Sequence, residues 1–191
     1  MNNKGNLTDQ RPPLLPLIIG TGLGSGLWPW GPGTAGSIAA TVVWLATAYW
    51  SGLYGIQLTL VTLAAVLLFT ILGTWATHRL QPYWGEDPSR VVIDEWVGVW
   101  IPLSLLWPYA PAGVPTHSLL WVLAALILFR FFDMVKPFGI KKLDQKSGAF
   151  YVMLDDIVAG IYAALVLLTL QVIYAFIVPP VIKYLIAAWV E

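Results

Sequence analysis

The sequence predicts an all-α, polytopic membrane bundle of about five transmembrane helices, led by a Gly-rich N-terminal segment that is re-entrant or interfacial. Three observations carry this. The 191-residue chain is 58% hydrophobic and only 10% charged, with a mean hydropathy of +0.75; a soluble domain could not cover its surface with so few charges. Apolar runs recur at roughly 35–50, 56–77, 91–108, 117–135 and 151–178, with a shorter one at 180–190. The loops between them alternate between basic and uncharged. Eleven Trp and eight Tyr fit a chain with two membrane–water interfaces, where amphipathic rings accumulate.

Residues 1–17 form an N-terminal cytoplasmic arm carrying Lys4 and Arg11. The apolar stretch Leu14–Ile19 is short and runs into glycines rather than a cleavage site, so it is expected to be retained. Residues 18–178 form a single membrane-embedded domain, and 179–191 a tail or short helix. A span needs about 20 apolar residues, within a range of about 17–25. The second and fifth runs pass easily, and the other three lie near the short limit. The loops at 51–55 and 109–116 carry no charge. The loop at 79–90 carries Arg79 and Arg90, and that at 136–150 carries Lys136, Lys141, Lys142 and Lys146. The bias of basic loops to the cytoplasm puts the N-terminus and these two loops there, with Lys183 alone in the ambiguous tail.

Half of the ten acidic residues sit at run ends: Asp94 and Glu95 open the third, Asp133 closes the fourth, and Asp155 and Asp156 open the fifth. Ionisable groups in membrane segments are costly and mark function by default. The helix dipole rewards acids at N-termini by about 0.3–1 kcal/mol each, and Ser89 is placed to cap the third run. That structural explanation fails for Asp133, at a helix C-terminus. Arg130 and Lys136 lie three residues either side of it, a spacing that puts them on its face, and Pro137 should end the helix at Lys136. Alternation places all five carboxylates at the cytoplasmic end. Crowded there, some would take up protons unless a dication kept them ionised. Without Cys, and with only two His, an oxygen-only ligand set points to Mg²⁺ or Mn²⁺. Asp94, Glu95, Asp133, Asp155 and Asp156 are thus the expected metal ligands, and Asp94, Glu95, Asp133 and Asp156 the expected catalytic groups.

Seven glycines fall within residues 20–36. Such backbone leading into a helix N-terminus suits a phosphate, which nominates Gly33, Thr34, Gly36 and Ser37, with Arg130 and Lys136, as substrate-binding. Ser25 and His78 are auxiliary candidates; His117 falls on the opposite face. No charge pattern calls for nucleic acid, and oligomeric state is not legible.

Four ordered blocks then resemble one family: Gly24-Ser-Gly-Leu-Trp-Pro29 with Gly31-Pro-Gly-Thr-Ala-Gly-Ser37, Val92-Ile-Asp-Glu-Trp-Val-Gly98, Phe129-Arg-Phe-Phe-Asp-Met-Val-Lys-Pro137 and Leu154-Asp-Asp-Ile-Val-Ala-Gly160. Together, over about residues 18–165, they resemble the bacterial phosphatidylglycerophosphatase A family. The resemblance implies Mg²⁺-dependent removal of the terminal phosphate from phosphatidylglycerophosphate, a membrane phospholipid, to leave phosphatidylglycerol. It also implies a multi-pass protein of the inner membrane with its site facing the cytoplasm. The segment Gly148-Ala-Phe-Tyr151 departs from the family's Gly-Gly-x-Gly pattern. With no Cys, no Asp-x-Asp-Gly-Thr signature and no pair of cytoplasmic His, two routes remain, a water activated by the metal or an Asp nucleophile, and water is favoured. The competing reading is an ion-coupled transporter, which expects carboxylates at the bilayer midplane between broken helices.

Overall fold

A computed structural model describes residues 11–106, 116–137, 139–140, 143 and 145–190, with side chains left out at 116–118 and 178–190. Lys4, Lys141, Lys142 and most of the 109–116 loop, all invoked above, lie outside the described residues, as do the side chains of His117 and Lys183. Among the described residues the chain is helical throughout, with no strand: α1 (Leu14–Gly20), a 3₁₀ turn at Ser25–Leu27, α2 (Pro32–Ser51), α3 (Gly55–Trp84), α4 (Ile93–Leu103), α5 (Thr116–Val135) and α6 (Ala149–Val190).

Two segments, Gly55–Trp84 and Ala149–Ile177, are long and apolar enough to cross a membrane. At 1.5 Å per residue, α3 alone is about 45 Å long, beyond the roughly 30 Å hydrocarbon core. Among the described residues, the rest of the protein covers little of either, their most apolar windows being only 17% and 33% buried.

The third apolar run behaves differently from expectation. It gives not a span-length helix but α4, with eleven residues and about 16 Å of rise, too short to cross alone. Nine of those eleven residues are buried, Trp96, Val97, Val99 and Trp100 among them. A helix apolar on all sides is one surrounded by other elements, and α4 packs on α2, α3, α5 and α6. Its hydropathy reports protein contact rather than lipid contact.

The same correction applies to part of the tryptophan content. Trp44, Trp96 and Trp100 are core residues whose rings are almost wholly enclosed. Trp44 Nε1 donates to Thr62 Oγ1 at 2.9 Å and Trp100 Nε1 to the Ala40 carbonyl at 3.0 Å. Thr59 Oγ1 donates to the Ser104 carbonyl at 2.8 Å. These bonds tie α2 to α3 and α4, and α3 to the end of α4, as interhelical polar contacts do in an apolar bundle. Trp28 and Trp30, by contrast, are exposed.

The α4–α6 crossing sets the position of the acidic residues. A Cβ on Gly98 would collide with the Phe129 ring and come within 2.9 Å of the Asp156 carbonyl, and one on Gly160 would strike the Gly98 carbonyl. Two glycines facing each other let the backbones approach closely, which draws the first turns of α4 and α6 together.

Candidate active site

Five chain segments meet at one end of the bundle: the start of α2, the loop after α3, the start of α4, the end of α5 and the start of α6. They enclose an open cavity of about 430 Å³. All five run-end carboxylates line it, with Arg130, Lys136 and Gly33. The ends that meet are those joined by the basic loops, so successive long helices run away from the cavity and back to it. Three helix N-termini (α2, α4 and α6) point into the site, and each favours negative charge by about 0.3–1 kcal/mol.

The carboxylates fall into two groups. Asp94, Glu95 and Asp156 each offer an oxygen, all within 4.8 Å of one another. Asp94 Oδ1 also accepts the Glu95 backbone N–H at 3.0 Å, and Glu95 Oε2 is buried with no hydrogen-bond partner among the described residues. Oxygens gathered this closely are near enough to converge on one Mg²⁺ ion with bonds of about 2.1 Å. The donor set is oxygen-only, as that hard cation prefers. The residues present therefore suit Mg²⁺.

The other two carboxylates are paired with cations. Asp133 Oδ2 lies 2.6 Å from Arg130 Nη1, and the buried Arg130 Nε has no acceptor among the described residues. Lys136 Nζ donates to Asp155 Oδ2 at 2.8 Å. As Pro137 requires, α5 ends at Val135, but Lys136 leaves in a left-handed conformation with φ 46° rather than an extended one. Its N–H bonds back to the Phe132 carbonyl at 2.9 Å, closing the helix.

Of the glycine-rich segment only Pro32 and Gly33 line the cavity. A Cβ on Gly33 would collide with Glu95 Oε1 and lie 3.4 Å from Arg130 Nη1, so the α2 backbone rests directly against both groups. Thr34 is exposed outside the cavity. Gly36 abuts Val92, where a Cβ would come within 2.7 Å. Ser37 is buried, and its hydroxyl donates to the Gly33 carbonyl at 2.8 Å. Ser25 Oγ donates to the Gly22 carbonyl at 2.8 Å and meets Trp96 Nε1 at 3.4 Å, away from the cavity. His78 is exposed and off the site. Nor does Ser89 cap α4: the N-cap is Val92, without a side-chain bond, and its own N–H donates to the Gly20 carbonyl at 2.8 Å. Ser89 lies on the cavity wall instead.

Lys146, Ser147 and Tyr151, to which the sequence assigns no site role, are all on the wall. Lys146 Nζ sits 5.0 Å from the Tyr151 ring centroid, a cation–π contact. The loop's departure from the glycine-rich pattern was the signal that pointed there.

An unspent guanidinium donor beside a hard-cation triad suits a phosphate ester dianion, and the class so defined is a helical phosphomonoester hydrolase. The phosphatidylglycerophosphatase A family model matches residues 18–171, and the chain belongs to that family. A Haemophilus influenzae protein named phosphatidylglycerophosphatase A is 37% identical over 81% of this chain and 87% of its own length. The Escherichia coli protein of that name is 35% identical over 77% and 78%. A Bacteroides thetaiotaomicron protein, provisionally named a phosphatidylinositol-3-phosphatase, is 46% identical over 81% of this chain and 92% of its own. No solved structure matches. Nothing in these likenesses supports an ion-coupled transporter.

Proposed function

We propose that this chain is a Mg²⁺-dependent lipid phosphatase that converts phosphatidylglycerophosphate to phosphatidylglycerol and inorganic phosphate, at the cytoplasmic face of a bacterial inner membrane it crosses several times. The observation that carries the reading is the cavity itself, where Asp94, Glu95 and Asp156 stand together beside Arg130 and Lys136 in a member of this family. Its placement at the end of the bundle joined by basic loops suits a lipid headgroup, which lies at the membrane surface while its tails stay in the bilayer.

Asp94, Glu95 and Asp156 would hold the metal, which would neutralise phosphoryl charge and make water a competent nucleophile near neutral pH. Arg130 and Lys136 bind the non-bridging phosphoryl oxygens, and the α2 N-terminus at Gly33 adds backbone polarity of the right sign. Water attacks phosphorus, the ester P–O bond breaks, and the lipid alcohol leaves with a proton taken from water at the open mouth. Glu95, whose Oε2 is buried and unpartnered, would give the metal one carboxylate oxygen and take the proton of the attacking water on the other.

A second reading is favoured by one observation, the name of the 46%-identical relative. It keeps the same chemistry but places an inositol ring, rather than glycerol, on the phosphate. Purified protein offered phosphatidylglycerophosphate, phosphatidylinositol 3-phosphate and phosphatidic acid in mixed micelles separates the two. The primary reading expects the highest kcat/KM on phosphatidylglycerophosphate. Preference for the inositol lipid would transfer the assignment to the second reading, and no phosphate release from any of the three would sink both.

A further inference from the structure

We infer that Asp133 and Asp155 are positioning residues for a phosphoryl clamp made by Arg130 and Lys136, and not metal ligands, so that the site holds its metal on Asp94, Glu95 and Asp156 alone. The inference rests on the metal-dependent reading above and divides its labour. Asp133 Oδ2 and Asp155 Oδ2 each already hold a cation, at 2.6 and 2.8 Å. The triad oxygens gather within 4.8 Å of one another, with Asp133 bordering Asp156 at the triad's edge.

The two cations are aimed in different ways. Asp133 lies three residues after Arg130 on the same helix, so it fixes the guanidinium from its own face. The contact occupies Nη1, which lies beside Gly33, and leaves Arg130 Nε buried without an acceptor among the described residues. Unspent donors of this kind are costly unless a ligand uses them. Asp155 reaches Lys136 from the neighbouring helix α6. Lys136 also occupies a left-handed backbone position, φ 46°, where glycine is cheaper. The lysine that occupies this costly position lines the cavity.

The test separates metal binding from phosphate binding in the full-length protein in detergent. Mn²⁺ affinity is read by electron paramagnetic resonance, and kcat and KM are read separately on the lipid substrate. Asp133→Asn and Asp155→Asn should keep Mn²⁺ affinity within about twofold while raising KM about 10- to 100-fold, as expected for weakening a charged hydrogen-bond partner. Asp133→Glu should restore part of the KM loss. Lys136→Gly, which relieves the backbone cost and so should fold even if the Asn variants do not, should raise KM with Mn²⁺ affinity unchanged. Loss of Mn²⁺ binding in Asp133→Asn, Asp155→Asn or Lys136→Gly as severe as in Asp94→Asn would overturn the division while leaving a metal site. So would a KM unmoved by all three. Undiminished Mn²⁺ binding in both Asp94→Asn and Asp156→Asn would instead defeat the metal reading on which the inference rests.

Discussion

Asp133 shows how one residue can be diagnostic before any coordinates are seen. At the end of α5 the helix dipole opposes an anion, so its presence demanded a partner, and Arg130 was nameable from spacing alone. Gly33 shows the reverse. Its glycine-rich surroundings suggested a phosphate site spread from Gly33 to Ser37, yet only Gly33 touches the cavity, because Gly36 and Ser37 face inward to Val92 and the α2 backbone. Periodicity could not separate them, since residues 33, 36 and 37 share one face and only the first turn lies at the mouth. A methyl on Gly33 would push on Glu95 and Arg130 together. Gly33→Ala is therefore predicted to lower kcat/KM by about 100-fold, the order expected from misplacing catalytic groups by about 1 Å. Its thermal unfolding midpoint should stay close to that of the parent. Unchanged steady-state kinetics would show that α2 does not press on the site.

At the scale of the element, α4 is where hydropathy misled. Its run read as a membrane span because apolar side chains facing protein and apolar side chains facing lipid are identical in a one-dimensional pattern. What distinguished α4 was composition: Trp96, Gly98 and Trp100 within five residues suit a helix packed on every side rather than one bathed in lipid. The glycine crossing of α4 and α6 is the contact most sensitive to volume. Gly98→Leu would drive a side chain into Phe129 and the α6 backbone. It is predicted to destabilise the protein by about 1–3 kcal/mol or more and to separate Asp156 from Asp94 and Glu95. Thermal unfolding and Mn²⁺ binding should both register the loss. Parental stability and metal affinity in the Gly98→Leu variant would mean that this crossing does not set the site.

For the whole molecule, the alternation of basic and uncharged loops carried more information than the apolar runs themselves. It put the ends of α2 to α6 that carry acids and bases together, and these ends do share one cavity. Convergence of five carboxylates was thus legible from topology, whereas their partition into a triad and two ion pairs depended on side-chain directions that no spacing encodes. The chain has no Cys, so single cysteines report sidedness without background. Ser147→Cys, at the cavity wall, is predicted to react with a membrane-impermeant maleimide only from the cytoplasmic side, in inverted vesicles. Ser51→Cys, at the far end of α2, should react only from the outside. Labelling of both from the same side would refute the alternating topology.

The central claim is that a divalent cation held by Asp94, Glu95 and Asp156 is needed to take phosphate from a lipid monoester. The most direct measurement is inorganic phosphate release from phosphatidylglycerophosphate by the purified protein, followed through chelation and Mg²⁺ re-addition, for the parent and for Asp156→Asn. Release should stop on chelation and return with Mg²⁺ in the parent, while Asp156→Asn, folded by its thermal transition, stays near background at every Mg²⁺ concentration. Full release by the chelated parent, or parental turnover in Asp156→Asn, would contradict the claim.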